Sequence, residues 1–434
     1  MKIIFSSLQW ALFILMSSVV VPIAIASSYG LHDIATIEFV QRTLFVLGLA
    51  GILQALFGHH MPVQEGPAGL WWGVFSLYAG LGVVLYGSHI ETLRVLQYAF
   101  LLSGVIFILL SIFGLVEKLA KLFTPTIVGI YLILLVAQLS SSFFHGMFGL
   151  TGGQQTVQSN VLLLSIVIVI LSYCIMKIPK IGHYSVLFSI IFGWLLFSIF
   201  GLAKPITTVN SYFKLPEIFA FGSPRIDPTM IIMVIVITLL LLANLLATVR
   251  VVQQVLERQH VTVETNRLKQ TGMISGVNQL LGGLFSAIGA VPISGSAGFI
   301  ETTNITSKKP FIIGSLIIVV ISLFPPFTAF VASLPEAVGY AAIFPVFASI
   351  ISLAFRQFET VENKTVLFRV ISISLFAGIG TMFIPSEAFA EMPPVLVSIL
   401  SNGLVFGSVI AIILETLVSR MNRRKEKQFH YRAH

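Results

Sequence analysis

A 434-residue chain that is 56% hydrophobic and 10% charged, with a mean hydropathy of +0.98, carries more apolar surface than one aqueous core can hide. Apolar windows of spanning length recur along it, which makes it a polytopic membrane protein and excludes a soluble enzyme. Its net charge of +8 comes from basic residues in short loops between spans, so a nucleic-acid partner is excluded and the positive-inside rule applies.

In chain order, the N-terminal run with Lys2, Gln9, Trp10 and "AIASS" imitates a secretory signal. It is read as a retained span because Pro22 interrupts the apolar stretch and no soluble domain follows. Spans are predicted near 6–27, 42–58, 66–88, 95–116, 122–141, 158–176, 183–203, 229–249, 271–290, 295–307, 310–333, 337–355, 366–385 and 394–418. The window 295–307 is too short and polar to cross about 30 Å of hydrocarbon unless preceding extended residues complete the crossing. Cys174, the single cysteine, excludes an intrachain disulfide and is expected to be buried and inert. With fourteen spans and a cytoplasmic N-terminus, every Lys and Arg except Arg42, Arg94, Lys204, Lys214 and Arg225 falls on the cytoplasmic side. Both termini are therefore expected there, with the basic tail 419–434, "RMNRRKEKQFHYR" and its flanks, as a topology signal facing lipid.

An internal repeat emerges when "MPVQEGPAG", 61–69, is set beside "VPISGSAG", 291–298. One gap aligns Pro62 with Pro292, Ala68 with Ala297 and Gly69 with Gly298. Each copy opens the third span of a seven-span half, and an odd number of spans inverts the second half. Proline followed by alternating small and apolar residues predicts a short extended segment, then a helix start. Spans 3 and 10 are thus expected to be broken, aiming two positive helix ends at one midplane cavity. The fold class is an all-α membrane protein of 7+7 inverted repeats.

These stretches, with "SLQWALFILMSSVVVP" in span 1, "ANLLATVRVV" in span 8 and "GVNQLLGGLFSAIGAVPISGSAGFIETTNIT" across spans 9 and 10, resemble the nucleobase–ascorbate transporters, a family that includes bacterial uracil, xanthine and urate permeases. The resemblance runs over nearly the whole chain. It implies a core domain of residues 1–116 and 229–333, a gate domain of 117–228 and 334–418, and a homodimer in the bacterial inner membrane. It also marks departures. Gln9-Trp10 stands where the family has Gln-His, Leu240 and Asn244 hold the span-8 positions, and the span-10 signature is read from Gly298 through Phe299 and Glu301 to Thr306.

The substrate-binding candidates are Gln9, Ala68, Gly69, Leu240, Asn244, Ala297, Gly298, Phe299 and Glu301. Glu301 has two readings, since a carboxylate inside a span is costly: it replaces the missing span-10 acid, or it reaches a vestibule and pairs with Lys308 or Lys309. Asn244 is either a ligand-facing amide or an interhelical hydrogen bond, and Asn278 is a packing amide. Phe299 would cover one face of a planar ring. Trp10 is either a cavity residue or an interfacial anchor. Glu65, beside Gln64, is a second cavity acid, a gate residue or a loop carboxylate. His59 and His60 are read as loop caps, since no metal-ligand cluster surrounds them. Gly152 and Gly153 lack the Lys and Ser/Thr of a nucleotide loop, and no cofactor or hydrolase motif is present. The reading is a secondary permease for a purine or pyrimidine nucleobase or related heterocycle, proton-coupled. A sulfate- or bicarbonate-type anion carrier on the same fold and a non-transporting receptor are its rivals.

Overall fold

The computed structural model describes residues 2–432 except 117, 119–123, 151–154, 180, 265–266, 386–387, 389–391, 393–395, 397–399 and 401. Lys121, Lys180, Gly152, Gly153, most of the lead into the last span and the side chains of the basic tail lie outside the described residues.

Helices dominate the chain. The first half runs α1 (Lys2–Ser18), α2 (Val20–Ser28), α3 (Asp33–Phe57), β1 (Glu65–Pro67), α4 (Gly69–Tyr86), α5 (His89–Ile112), α6 (Pro125–Met147), α7 (Ser159–Met176) and α8 (Ser185–Ile199). The second runs α9 (Met230–Arg258), α10 (Leu268–Leu284), β2 (Ala290–Pro292), α11 (Gly295–Thr303), α12 (Lys308–Ser322), α13 (Pro325–Ala332), α14 (Glu336–Glu359), α15 (Lys364–Met382) and α16 (Gly403–Arg432). Local chemistry sets the starts. Ser88 and Thr124 accept from backbone N–H groups three residues on, and Asn363 does the same for α15. Pro22 lacks the N–H that would carry α1 through, and the helix breaks at Val19.

Among the described residues, nine helices are long and apolar enough to cross a membrane, or ten if α12 and α13 form one bent span. That pair turns through 94°, so the span expected at 310–333 is broken at the Pro325-Pro326 step. A second correction concerns Cys174, which is exposed on α7 rather than buried. Only 28% of the apolar window of α7 is buried. An apolar run on a perimeter helix is apolar because it meets lipid, and hydropathy alone does not separate that from a core face.

Packing follows two groups. In one, α5 lies on α10 and α9, α1 on α12, and α3 on α12 and α10; in the other, α14 lies on α6, α7 and α8, and α15 and α16 on each other and on α6. Close approach is built into the first group: a Cβ at Gly104 of α5 would stand 2.7 Å from the Gly276 carbonyl of α10.

The strands form one antiparallel ladder, with Glu65 opposite Pro292, Gly66 opposite Val291 and Pro67 opposite Ala290. The strand ends relate Pro67 to Pro292 and the helix starts relate Gly69 to Gly295, so the alignment of Pro62 with Pro292 and Gly69 with Gly298 is out of register. Small residues and prolines match at several offsets, and only the hydrogen bonds choose among them. The family signature read from Gly298 accordingly starts inside α11, three residues past its first residue.

Candidate functional site

The strand ladder is tied into the surrounding helices by side-chain amides. Gln64 donates from its backbone N–H to Ser296 Oγ at 2.9 Å and from Nε2 to Ser17 Oγ at 2.6 Å, and its carbonyl accepts from Ile293 N–H at 2.9 Å. Ser17 and Ser18 are the last two residues of α1, just before its break from α2. On the other side, Gln279 of α10 donates to the Ala290 carbonyl at 2.9 Å and accepts from Trp71 Nε1 at 2.9 Å. Backbone away from regular helix at membrane depth needs such partners, because the hydrocarbon offers none. A Cβ at Gly289 would fall 2.3 Å from Gln279 Oε1, so this close approach requires glycine.

Two helices begin where the strands end. α4 starts at Gly69 behind Ala68 and α11 at Gly295 behind Ser294, and neither start has a side-chain cap. Although the Ser296 and Ala297 N–H groups bond the Ile293 and Ser294 carbonyls, the positive ends of two helix dipoles lie beside one ladder, an arrangement suited to an electronegative ligand edge. Asn304, in the left-handed region at φ 54°, ends α11 after nine residues.

Not every expected site residue meets there. Asn244 of α9 is half-buried and donates from Nδ2 to the Pro292 carbonyl at 3.3 Å, which puts it at the end of β2. Ala68 is buried and its N–H bonds the Gly289 carbonyl at 3.1 Å. Gly69 is half-buried against Leu135 of α6. Ser294, Gly295, Gly298 and Glu301 form one uncovered stripe of α11, and a Cβ at Gly298 would meet nothing within 4 Å. Ala297 is on the buried face, and Leu240 is fully buried. Phe299 is also fully buried, with Trp10 at 4.3 Å and Phe13 at 4.6 Å between ring centroids. With Tyr184 at 6.3 Å, its ring neighbours in this state are all protein side chains. Gln9 is half-buried near the same cluster. Trp10, 0% exposed and packed on Phe13, Phe299 and Phe311, is not an interfacial anchor.

Glu301 is exposed and, among the described residues, makes no ion pair with Lys308 or Lys309. Glu65 is the opposite case. It is buried on β1, both its carboxyl oxygens lack a hydrogen-bond partner among the described residues, and Oε1 lies 3.9 Å from His59 Nε2. His59 is buried rather than capping an exposed loop, and its Nδ1 accepts from Met61 N–H at 3.0 Å. Asn278 is buried too, with neither amide atom bonded among the described residues.

Sequence reasoning missed Ser296, Gln279, Ser17 and Ser18. The one available signal was polarity inside apolar windows; Gln279 adjoins the noted Asn278, whereas isolated serines are too common in spans to stand out. A cavity of about 310 Å³ opens between the two packing groups, lined by Ser27, Ser28, Ser76, Ser142, His145 and Tyr340. Ser76 places it two turns along α4 from the ladder.

Paired short strands, two helix starts facing one place and apolar spans around them define a multi-pass membrane protein whose relatives are permeases, not enzymes. The model of the Permease family (Xan_ur_permease) matches residues 1–387, and the chain belongs to that family. It is 42% identical over 417 residues to the "Putative purine permease YwdJ" of Bacillus subtilis (strain 168), covering 95% of each chain. It is 22% identical to the xanthine permease of the same organism, covering 96% of this chain and 94% of that one. Against the uric acid transporter UacT of Escherichia coli (strain K12) it is also 22% identical, covering 95% and 85%. Among solved structures, the transmembrane domain of the cyanobacterial bicarbonate transporter BicA superposes with a TM-score of 0.61 at 14% identity, covering 94% of this chain and 97% of that one. That likeness concerns the fold.

Proposed function

We propose that the chain carries a purine, of the xanthine or urate kind, across the bacterial inner membrane in symport with protons. The observation that carries this is the ladder with two uncapped helix starts beside the half-buried amide of Asn244. A planar heterocycle presents carbonyls to the positive helix ends and an in-plane edge to Asn244, while the uncovered stripe of Gly295, Gly298 and Glu301 lets the ring approach backbone. The 42% identity to a relative named for purine transport supports this class over sulfate or bicarbonate, because the anion-carrier likeness is one of fold.

In this reading the group with α1–α5 and α9–α13 is the core domain and the group with α6–α8 and α14–α16 the gate. Their separate packing supports the division. Movement of one against the other exposes the ladder alternately to each side, and the 310 Å³ cavity is the polar approach on one of them. Both termini face the cytoplasm and two copies form a homodimer. Uptake by purified protein in proteoliposomes tests the function: saturable uptake of labelled xanthine, displaced by urate and indifferent to sulfate and bicarbonate, is expected. Sulfate or bicarbonate uptake without purine uptake overturns it.

A further inference from the structure

The coupling reading leaves a question that the family positions do not answer, because Leu240 carries no proton and Glu301 is exposed on the rim of α11. We propose that Glu65 is the carboxyl that carries the coupled proton, with the His59 imidazole beside it, and that it is linked through the Glu65–Pro292 strand pair to Asn244 at the substrate site. This rests on the transport reading above.

Three observations converge. First, a buried carboxyl with neither oxygen bonded stands where an ionised form is costly, so it holds a proton in this state of the molecule. Second, His59 accepts from Met61 N–H at Nδ1, which leaves the proton of the neutral ring on Nε2, the atom 3.9 Å from Glu65 Oε1. At that distance the Nε2–H makes no hydrogen bond in this state, and a small approach of the two groups would let it donate to the anion after proton release. Third, His59 lines a small cavity with Gln253, Glu264, Arg267 and Thr271. Glu65 does not line that narrow cleft; His59, 3.9 Å from the carboxyl, is the group the two share.

The charged and titratable groups around the pair are few. His60 and Glu264 stand 3.4 Å apart, and Arg267 holds Glu264 at 3.0 Å; α9 contributes Val249 and Gln253 to the cavity, and α10 contributes Leu268 and Thr271. From α1 the neighbours are Ser17 and Ser18, through Gln64, and β2 brings no ionisable side chain. No fixed counter-charge therefore competes with a proton at Glu65 among the described residues. The strand supplies the coupling. Glu65 faces Pro292 across the ladder, and the Pro292 carbonyl accepts from Asn244, so a shift of β1 on deprotonation moves the amide that meets the substrate. One O–H bond forms at Glu65 from water on one side and breaks to water on the other, with no change of oxidation state.

Purified protein in proteoliposomes, with labelled xanthine as the probe, separates this proposal from the transport reading. Counterflow at equal pH requires a working carrier and no net proton movement; accumulation driven by a pH gradient requires both. Glu65→Gln is expected to keep counterflow and lose gradient-driven accumulation. Retained accumulation overturns the proposal. If wild-type protein shows no counterflow, the transport reading fails, and infrared difference spectra then decide on Glu65 alone: a protonated-carboxyl band on acidification must vanish in Glu65→Gln, and its persistence overturns the assignment. Should Glu65→Gln not fold, His59→Gln serves. The pH profile of gradient-driven accumulation must shift while counterflow at fixed pH persists, and an unshifted profile overturns the proposal.

Discussion

The two sides of the ladder each carry one acid, and their settings are opposite. On the β1 side Glu65 is 1% exposed among Gln64, His59 and the helix break of α1 and α2. On the α11 side Glu301 lies on an uncovered stripe of glycine and serine. One half of the crossing is closed and packed, and the other presents small residues and an acid to open space. The contrast assigns different work to the halves: the packed side stores a protonation state, and the open side meets the ligand.

The largest expected effect tests the packed side. Glu65→Leu removes a buried group that lacks partners and fills its volume with hydrocarbon, so thermal unfolding in detergent should show a gain of about 1–4 kcal/mol. Glu301→Leu should give no such gain. A loss of stability in Glu65→Leu would mean that the carboxyl has a partner in the working protein, and the contrast would break.

A comparable effect is expected where β2 meets α10. Gly289→Val drives a side chain into Gln279 Oε1 and the Phe100 ring, at 2.3 and 2.5 Å for the first carbon alone, and should cost about 1–3 kcal/mol or more. Gly298→Ala, on the open stripe, should stay within about 0.5 kcal/mol of wild type. Equal losses at the two glycines would show that the stripe is covered.

The same contrast explains what was legible beforehand. Span positions followed from apolar windows, and the two breaks followed from Pro-rich strings, because hydrocarbon permits few alternatives to helix. The broken spans 3 and 10 are where strands and helix starts stand. The two acids were harder to read. "GFIETTN" left Glu301 between a cavity acid and a vestibule residue paired with lysine, and "VQEGPAG" left Glu65 between a cavity acid, a gate residue and a loop carboxylate. Burial depends on what packs across the ladder from far along the chain, and neither string records that. Cys174, expected to be buried, faced outward, and of the two readings of Trp10 the interfacial anchor fell because the ring is core. Hydropathy scores both environments alike.

The smallest effect lies at the rim of the cavity beside His59. Arg267 holds the exposed Glu264 carboxyl below its ordinary value of 4.5, with His60 adding to it. A lowered folded value means the contribution is complete above the ordinary value and is lost as pH falls through the folded one. Because the pair is exposed that contribution is small, so Glu264→Gln should lower stability only slightly near neutral pH and should narrow the acid-side loss. A large change at neutral pH would make the pair a structural clamp.

The central claim is that a purine binds where the two helix starts meet, against Asn244. Labelled xanthine uptake by wild type and Asn244→Leu, reconstituted at equal folded yield, tests it most directly. Loss of one ligand hydrogen bond predicts about a tenfold rise in the half-saturation concentration, near 1.4 kcal/mol, with the carrier still intact. An unchanged half-saturation concentration in the folded variant would mean that Asn244 only braces Pro292 and that the substrate binds elsewhere.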